Sequence, residues 1–413
     1  MTQVSAFQSN KSAPRVNVRA HPLAFVLHRL MDRLEVGSLS ARLPSGETIE
    51  ARGAAPGPEA ALHIQNWRAF RRLLLSGDIG FADGYVAGDW TTPDLVALIR
   101  LAAANAPYLG HVIGGGRAHS LFNRILHRLR GNSRRGSRRN IMSHYDLGND
   151  FFRLWLDESM LYSSGLWDDA TVTLEQAQAN KLARSAEWLG LGGGEDILEI
   201  GCGWGALAAY LARAGAGRVL GLTLSPAQLG FARERLAREG LDGAVELRLQ
   251  DYRDISGAFD RIVSIEMIEA VGEAYWPHYF RKIEEVLKPG GRALIQAITI
   301  DEARFDDYRA RPDFIQRHIF PGGFLPTISA IADCAARAGL RLARTQSFGL
   351  SYARTLADWR RRFDARWSDI AAQGFDERFR RLWTYYLCYC EAGFLEKATD
   401  VGFFLLEKPG ERA

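Results

Sequence analysis

Cysteine is scarce. Four residues (Cys202, Cys334, Cys388 and Cys390) in a chain of 413 lack the paired spacing of a zinc site or a disulfide framework. That excludes a small disulfide-stapled secreted scaffold, and a reducing cytosol is the expected setting. Long hydrophobic runs are missing too. No stretch of about 18 apolar residues occurs, and the N-terminal MTQVSAFQSNKSAPRVNVRAHPLAFVLHRL holds no uninterrupted apolar h-region. Neither a membrane span nor a secretory signal is expected, and no residue pattern calls for a metal.

Acidic residues are absent between Asp94 and Asp146, whereas Arg100, Arg117, Arg124, Arg128, Arg130, Arg134, Arg135, Arg138 and Arg139 all fall there. The formal net charge of +4 is therefore local rather than spread. The densest part, RILHRLRGNSRRGSRRN, has the Gly, Ser and Asn content of an exposed linker. It would attract a polyanionic surface, either an anionic bilayer or nucleic acid; a solvated loop without a partner is the alternative.

What is present is ordinary globular composition, 47% hydrophobic and 24% charged, in a chain long enough for two domains. Residues 1–20 read as disordered and 21–110 as a small N-terminal domain, with LLLSGDIGFADGYVAGDWTTPDLVALIRLAA as glycine-punctuated short elements before an apolar helix. The arginine-rich linker spans 111–142, and 143–410 form a second domain. There, EDILEI, AGRVLGLTL, AVELRLQ, FDRIVSIEM and GRALIQAIT alternate with helices in the manner of a Rossmann-like α/β sheet. Ser225 is a natural N-cap for the helix after the second strand. DVGFFLLEKP is a late strand, expected to run antiparallel.

Such sheets bind ligands at the carboxyl ends of their strands, where Glu199, Thr223, Asp251 and Glu266 fall. DILEIGCGWG supplies a glycine turn there. Gly201, Gly203 and Gly205 give GxGxG rather than the dinucleotide GxGxxG, and the second strand ends in GLTLSPAQ without the acid that would hold a dinucleotide ribose. Thr223 and Gln228 could bond a ribose instead, while Asp251 and Tyr252 in LQDYRD suit an adenine amino group and ring face. These features point to S-adenosylmethionine.

The ordered motifs SHYDLGNDFFRLWLDESMLYSSGLW, LEIGCGWGALA, GLTLSPAQ, LQDYRD, FDRIVSIEMIEAVG, KPGGRALIQAITI, IFPGGFLPT and LSYARTLADW resemble those of the cyclopropane-fatty-acyl-phospholipid synthases and related lipid methyltransferases, over about Ser143 to Pro409. The resemblance implies an S-adenosylmethionine methyltransferase fold with a smaller N-terminal domain, loosely like that of the longer bacterial members. It implies an unsaturated phospholipid acyl chain as substrate and a peripheral cytoplasmic place on the inner membrane face, and it leaves a homodimer open. Carried over, the cofactor positions are Tyr145, Tyr162, Ser163, Gly201, Gly203, Thr223, Gln228, Asp251 and Tyr252.

An alkene is a weak nucleophile, so the site must press it against the sulfonium methyl and exclude water. Aromatic faces can stabilise the resulting cation; candidates are Phe151, Phe152, Trp155, Trp383, Tyr385, Tyr386 and Phe394, most of them expected to be core. Proton loss then sets the product. The resemblance implies a bicarbonate ion as base, held by a glutamate, a histidine, a tyrosine and backbone groups beside a cysteine and an isoleucine. Here Glu269, Tyr352 and Ile298 match. Ser164 stands where the synthases have that cysteine, Gln296 where they have the histidine, and Ala270 also replaces a histidine. This altered anion pocket leans the expectation toward a methyl-branched or related unsaturated product rather than a cyclopropane. Cys390 has no role in this chemistry. Of the rivals, a nucleic-acid methyltransferase is disfavoured because IEMIEAVGEAYW lacks the amide-clamping tetrapeptide of base amino-methyltransferases, so no nucleic acid is expected as partner. A non-catalytic lipid-binding protein is disfavoured by retention of Glu269 and Tyr352.

Overall fold

A computed structural model of the chain describes residues 21–109 and 147–410. Two compact units divide it, Met1–His119 and Ser120–Ala413. The dividing point falls outside the described residues, as do the N-terminal twenty, the arginine-rich linker and Tyr145.

In the first unit, β1 (Val36–Arg42) pairs antiparallel with β2 (Thr48–Arg52) and parallel with β3 (Ala55–Ile64), which pairs with the short β4 (Trp90–Thr91). The fully buried Asn105, on the helix Leu95–Leu109, accepts from the Glu35 and Val36 amides and donates to the Val36 carbonyl, fastening helix to sheet. The segment read as glycine-punctuated short elements holds two helical pieces within Arg68–Val86 that meet at a kink at Gly77, where φ is +63°, then β4 and the helix Leu95–Leu109. Gly88, at φ +76°, lies in the turn between that helical stretch and β4. Gly84 lies against the Trp90 ring, so the glycine density there reflects close packing as well as chain breaking.

The second unit is built on a seven-stranded sheet. The five expected strands are β5 (Asp196–Ile200), β6 (Arg218–Thr223), β7 (Val245–Leu249), β8 (Phe259–Ile265) and β9 (Leu287–Ile300). They are joined by β10 (Arg341–Ser347) and β11 (Thr399–Glu407) in the order β10-β11-β9-β8-β5-β6-β7. Strands β5 to β9 pair parallel; β11 runs antiparallel to β9, and β10 antiparallel to β11. Leu198, Ile200, Leu220, Ile262, Ala293 and Ile295 are buried in the sheet and pack with the helix Trp276–Val286. From β5 the chain moves outward to β6 and β7, then returns to the other side for β8 and β9. The order therefore reverses at β5, which places the switch-point crevice beside its carboxyl end.

Candidate active site

The turn after β5 is held by its neighbour strand. The amides of Gly201 and Cys202 both donate to the Leu222 carbonyl, at 3.0 and 2.8 Å. Gly203 has φ +51°, and a Cβ placed there would meet no protein atom within 4 Å. The glycine faces open space. It borders a cleft lined in part by Tyr162, Ser163, Gly201, Gly203, Gln228 and Glu266. Thr223 is buried beside it, its hydroxyl donating to the Gln228 side-chain oxygen at 3.0 Å. Ser225 caps the helix Pro226–Arg238 by accepting from the Gln228 amide.

Two further expected cofactor residues, Asp251 and Tyr252, follow β7. Asp251 accepts from the Arg253 backbone and guanidinium, with the closest ion-pair contact at 2.6 Å, so its carboxylate is engaged within its own turn. Tyr252 packs edge-on against Tyr279 at 5.5 Å, and burial pushes its hydroxyl up to about 12.

Two charged residues of the cleft carried no role in the motif reading. Lys181 lies buried on the helix Leu174–Leu189 and donates to the Ser163 hydroxyl at 2.6 Å. Burial lowers its pKa to about 8, against the attraction of Glu266, Asp157 and Glu199. Glu199, at the end of β5, is raised by burial to about 8 and keeps one buried carboxylate oxygen without a partner. The signal for Lys181 was in the sequence: Leu174, Ala177, Gln178, Lys181, Leu182, Ser185 and Trp188 form one buried face, with a lysine in its middle. The open cradle at Gly203 and the unmatched Glu199 oxygen fit a polar cofactor with donor groups. The resemblance assigns that cofactor to Tyr145, Tyr162, Ser163, Gly201, Gly203, Thr223, Gln228, Asp251 and Tyr252, of which Tyr162, Ser163, Gly201, Gly203 and Gln228 line this cleft.

The expected catalytic set gathers around a different carboxylate. The parallel ladder of β8 and β9 ends at Ile265 and Gln296, and the next residue, Glu266, turns out of the strand with φ +49°. Its carboxylate accepts from the Ser164 amide at 2.9 Å, the Gln296 side-chain amide at 2.7 Å and the Tyr352 hydroxyl at 2.7 Å. Glu269, the residue the motif comparison placed at the centre, accepts only from the Ile298 amide in this group, at 2.6 Å. The ladder explains why. Beyond Gln296 no residue of β8 remains to face β9, so the Glu269 side chain takes the next amide. The other Glu269 oxygen is buried without a partner. Burial, and then repulsion from Glu266, push Glu269 up to about 8; burial also raises Glu266, opposed by its three donors and Lys181. The Ser164 hydroxyl is spent on the Gly165 carbonyl at 2.8 Å.

Phe151, Phe152, Trp155 and Trp383 are buried and packed ring on ring, with centroids 5.2 to 6.5 Å apart. They support the cleft rather than line it: Tyr162 packs on Phe152 at 5.3 Å and shares a 2.7 Å hydrogen bond with Tyr386. Phe394 stacks on Tyr352 at 4.6 Å, and Tyr385 packs on Phe314. Cys202 and Cys390 have thiols raised by burial, which suits inert core residues. Among the described residues, no group of His, Cys, Asp and Glu could hold a metal ion.

A mostly parallel sheet with a glycine cradle at its switch point, and no acid ending its second strand, defines an S-adenosylmethionine-dependent methyltransferase. The sequence profile described as mycolic acid cyclopropane synthetase matches residues 132–404. Tuberculostearic acid methyltransferase UfaA1 of Mycobacterium tuberculosis is 37% identical over 432 aligned residues, covering 99% of this chain and 98% of that one. Cyclopropane-fatty-acyl-phospholipid synthase of Escherichia coli is 36% identical, covering 88% and 90%. The crystal structure of mycolic acid cyclopropane synthase CmaA1 complexed with SAH and CTAB superposes with a TM-score of 0.62 at 31% identity, covering 66% of this chain and 98% of that one. The chain belongs to the mycolic acid cyclopropane synthetase family.

Proposed function

We propose that the protein methylates the double bond of an unsaturated acyl chain in a membrane phospholipid, giving a methyl-branched or methylene-bearing chain. The observation that carries this reading is the meeting, in one cleft, of the Gly203 cradle and the Glu266 carboxylate, with Tyr162 and Tyr352 beside them. A methyl-accepting alkene needs no activated nucleophile. It needs an electrophile, a dry aromatic surround and a group that takes a proton afterward. The names of the relatives from M. tuberculosis and E. coli support the acyl substrate.

When bound, S-adenosylmethionine supplies an electrophilic methyl group to the alkene, leaving positive charge on the chain. Tyr162 and Tyr352, backed by Phe152 and Phe394, offer ring faces that favour such a charge. Their hydroxyls are held by Tyr386 and Glu266, which fixes the rings and keeps those oxygens from capturing the cation. The Glu266 carboxylate is the group placed to take the proton. A peripheral place on the anionic inner membrane face would bring the arginine-rich segment to lipid headgroups. Among the described residues, no helix is long and apolar enough to cross a membrane.

The test is lipid mass spectrometry of cells expressing the wild-type chain or the Gly203→Val variant. Phospholipid acyl chains that gain one CH₂ unit with the wild type alone support the reading. An unchanged lipid profile, with label from the methyl donor appearing in RNA, overturns it.

A further inference from the structure

Building on that reading, we propose that Glu266 is a resident base, occupying the place of the bicarbonate ion that the family resemblance implies and accepting the proton lost from the methylated acyl chain. Of the groups the resemblance assigns to that ion, the Ser164 amide, the Gln296 side chain and the Tyr352 hydroxyl all donate to Glu266. The Ile298 amide is bonded to Glu269. Each of these four donors already meets a carboxylate of the chain itself. A carboxylate has the same O–C–O fork as bicarbonate, so Glu266 satisfies the donors with the atoms an external ion would present.

The charge balance agrees. Lys181, Glu269, Tyr352 and Tyr386 interact electrostatically with Glu266, and Lys181 is the only cation among them. A further anion would face the Glu266 carboxylate across a partly buried space, with Lys181 alone to offset both charges. Backbone cost points the same way, because a residue with a Cβ that lines the cleft is held at φ +49°. Strain of this kind is retained where the side chain must be aimed.

In the step itself, a C–H bond of the cationic chain breaks and its electron pair closes a π bond, neutralising the cation. The proton passes to a Glu266 oxygen and leaves through the cleft to solvent, restoring the carboxylate. Burial raises the basicity of Glu266, which suits a proton acceptor working near neutral pH.

The experiment measures methyl transfer from S-adenosylmethionine to dioleoyl-phosphatidylglycerol vesicles in carbon-dioxide-free buffer, with and without added bicarbonate. It uses the wild type, Glu266→Gln and Glu266→Gly, with cofactor affinity by calorimetry confirming that each variant is folded. The wild-type rate should not change with bicarbonate. Glu266→Gln should lose ~100-fold or more in kcat with cofactor affinity within ~3-fold, and Glu266→Gly should regain turnover as bicarbonate or formate is added. A wild-type rate that collapses without bicarbonate, or a Glu266→Gln variant within ~3-fold of wild type, overturns the assignment while leaving acyl methylation standing. Absence of methylated lipid from the wild type in both buffers overturns the proposed function, and this assignment with it.

Discussion

Three positions separate Glu266 from Glu269, yet their surroundings give them different chemistry. Glu266 is held by three donors and faces the cleft; Glu269 keeps one donor and an unmatched buried oxygen. In the fold Glu269 retains its proton up to about 8, whereas the unfolded chain releases it near 4.5. Folding therefore takes up a proton between those values, and this contribution to stability falls as pH rises through the window. Glu269→Gln resembles the protonated form. Its turnover should stay within ~10-fold of wild type, and its unfolding free energy should decline less than that of the wild type between about pH 5 and about pH 8. Urea titrations at the two pH values check this; an equally steep decline in the variant would show that Glu269 is ionised in the fold. The motif comparison groups Ser164, Gln296, Tyr352 and Ile298 with Glu269; in the structure the first three donate to Glu266 and the Ile298 amide to Glu269. It centred them on Glu269 because spacing along the chain does not show where a strand ends, and the end of the β8 ladder at Ile265 is what turns Glu266 toward three of them.

At the level of elements, the buried strands were legible because each is a short apolar run between turn residues. Strand β10 was not. RLARTQS is an edge strand with no fully buried residue, so its pattern carries little hydrophobic signal. The helix Pro226–Arg238 was marked by its cap. Ser225→Ala should cost about 1 kcal/mol in denaturant unfolding, and an unchanged midpoint would show that Pro226 and packing suffice to start the helix. The glycine turn admits a sharper test. A Cβ at Gly203 would meet open space but at φ +51°, so Gly203→Val should strain the turn and lower stability, and the folded fraction should fail to bind S-adenosylmethionine. Calorimetric titration of the folded variant decides it, and wild-type affinity would reduce the glycines to a tight turn.

For the whole molecule, charge distribution is the property that sequence displays and fold does not explain. The arginine-rich stretch is the densest positive segment of the chain. Substituting Arg134, Arg135, Arg138 and Arg139 by Gln should weaken sedimentation with anionic liposomes at low salt, each basic residue near the surface adding about 1 kcal/mol of screened attraction. Equal binding to neutral and anionic vesicles would assign these arginines another purpose.

The central claim is that this fold places a methyl group on an acyl chain and then removes a proton. Reaction of the purified protein with trideuteromethyl-labelled S-adenosylmethionine and dioleoyl-phosphatidylglycerol, followed by mass spectrometry and deuterium NMR of the released fatty acids, tests it most directly. A methyl branch that keeps all its deuterium beside a chain double bond, or an exocyclic methylene that has lost one deuterium and shows a vinylic NMR signal, is the expected product. A high-field cyclopropane signal would contradict the branched or methylene product, and acyl chains without deuterium would contradict the account as a whole.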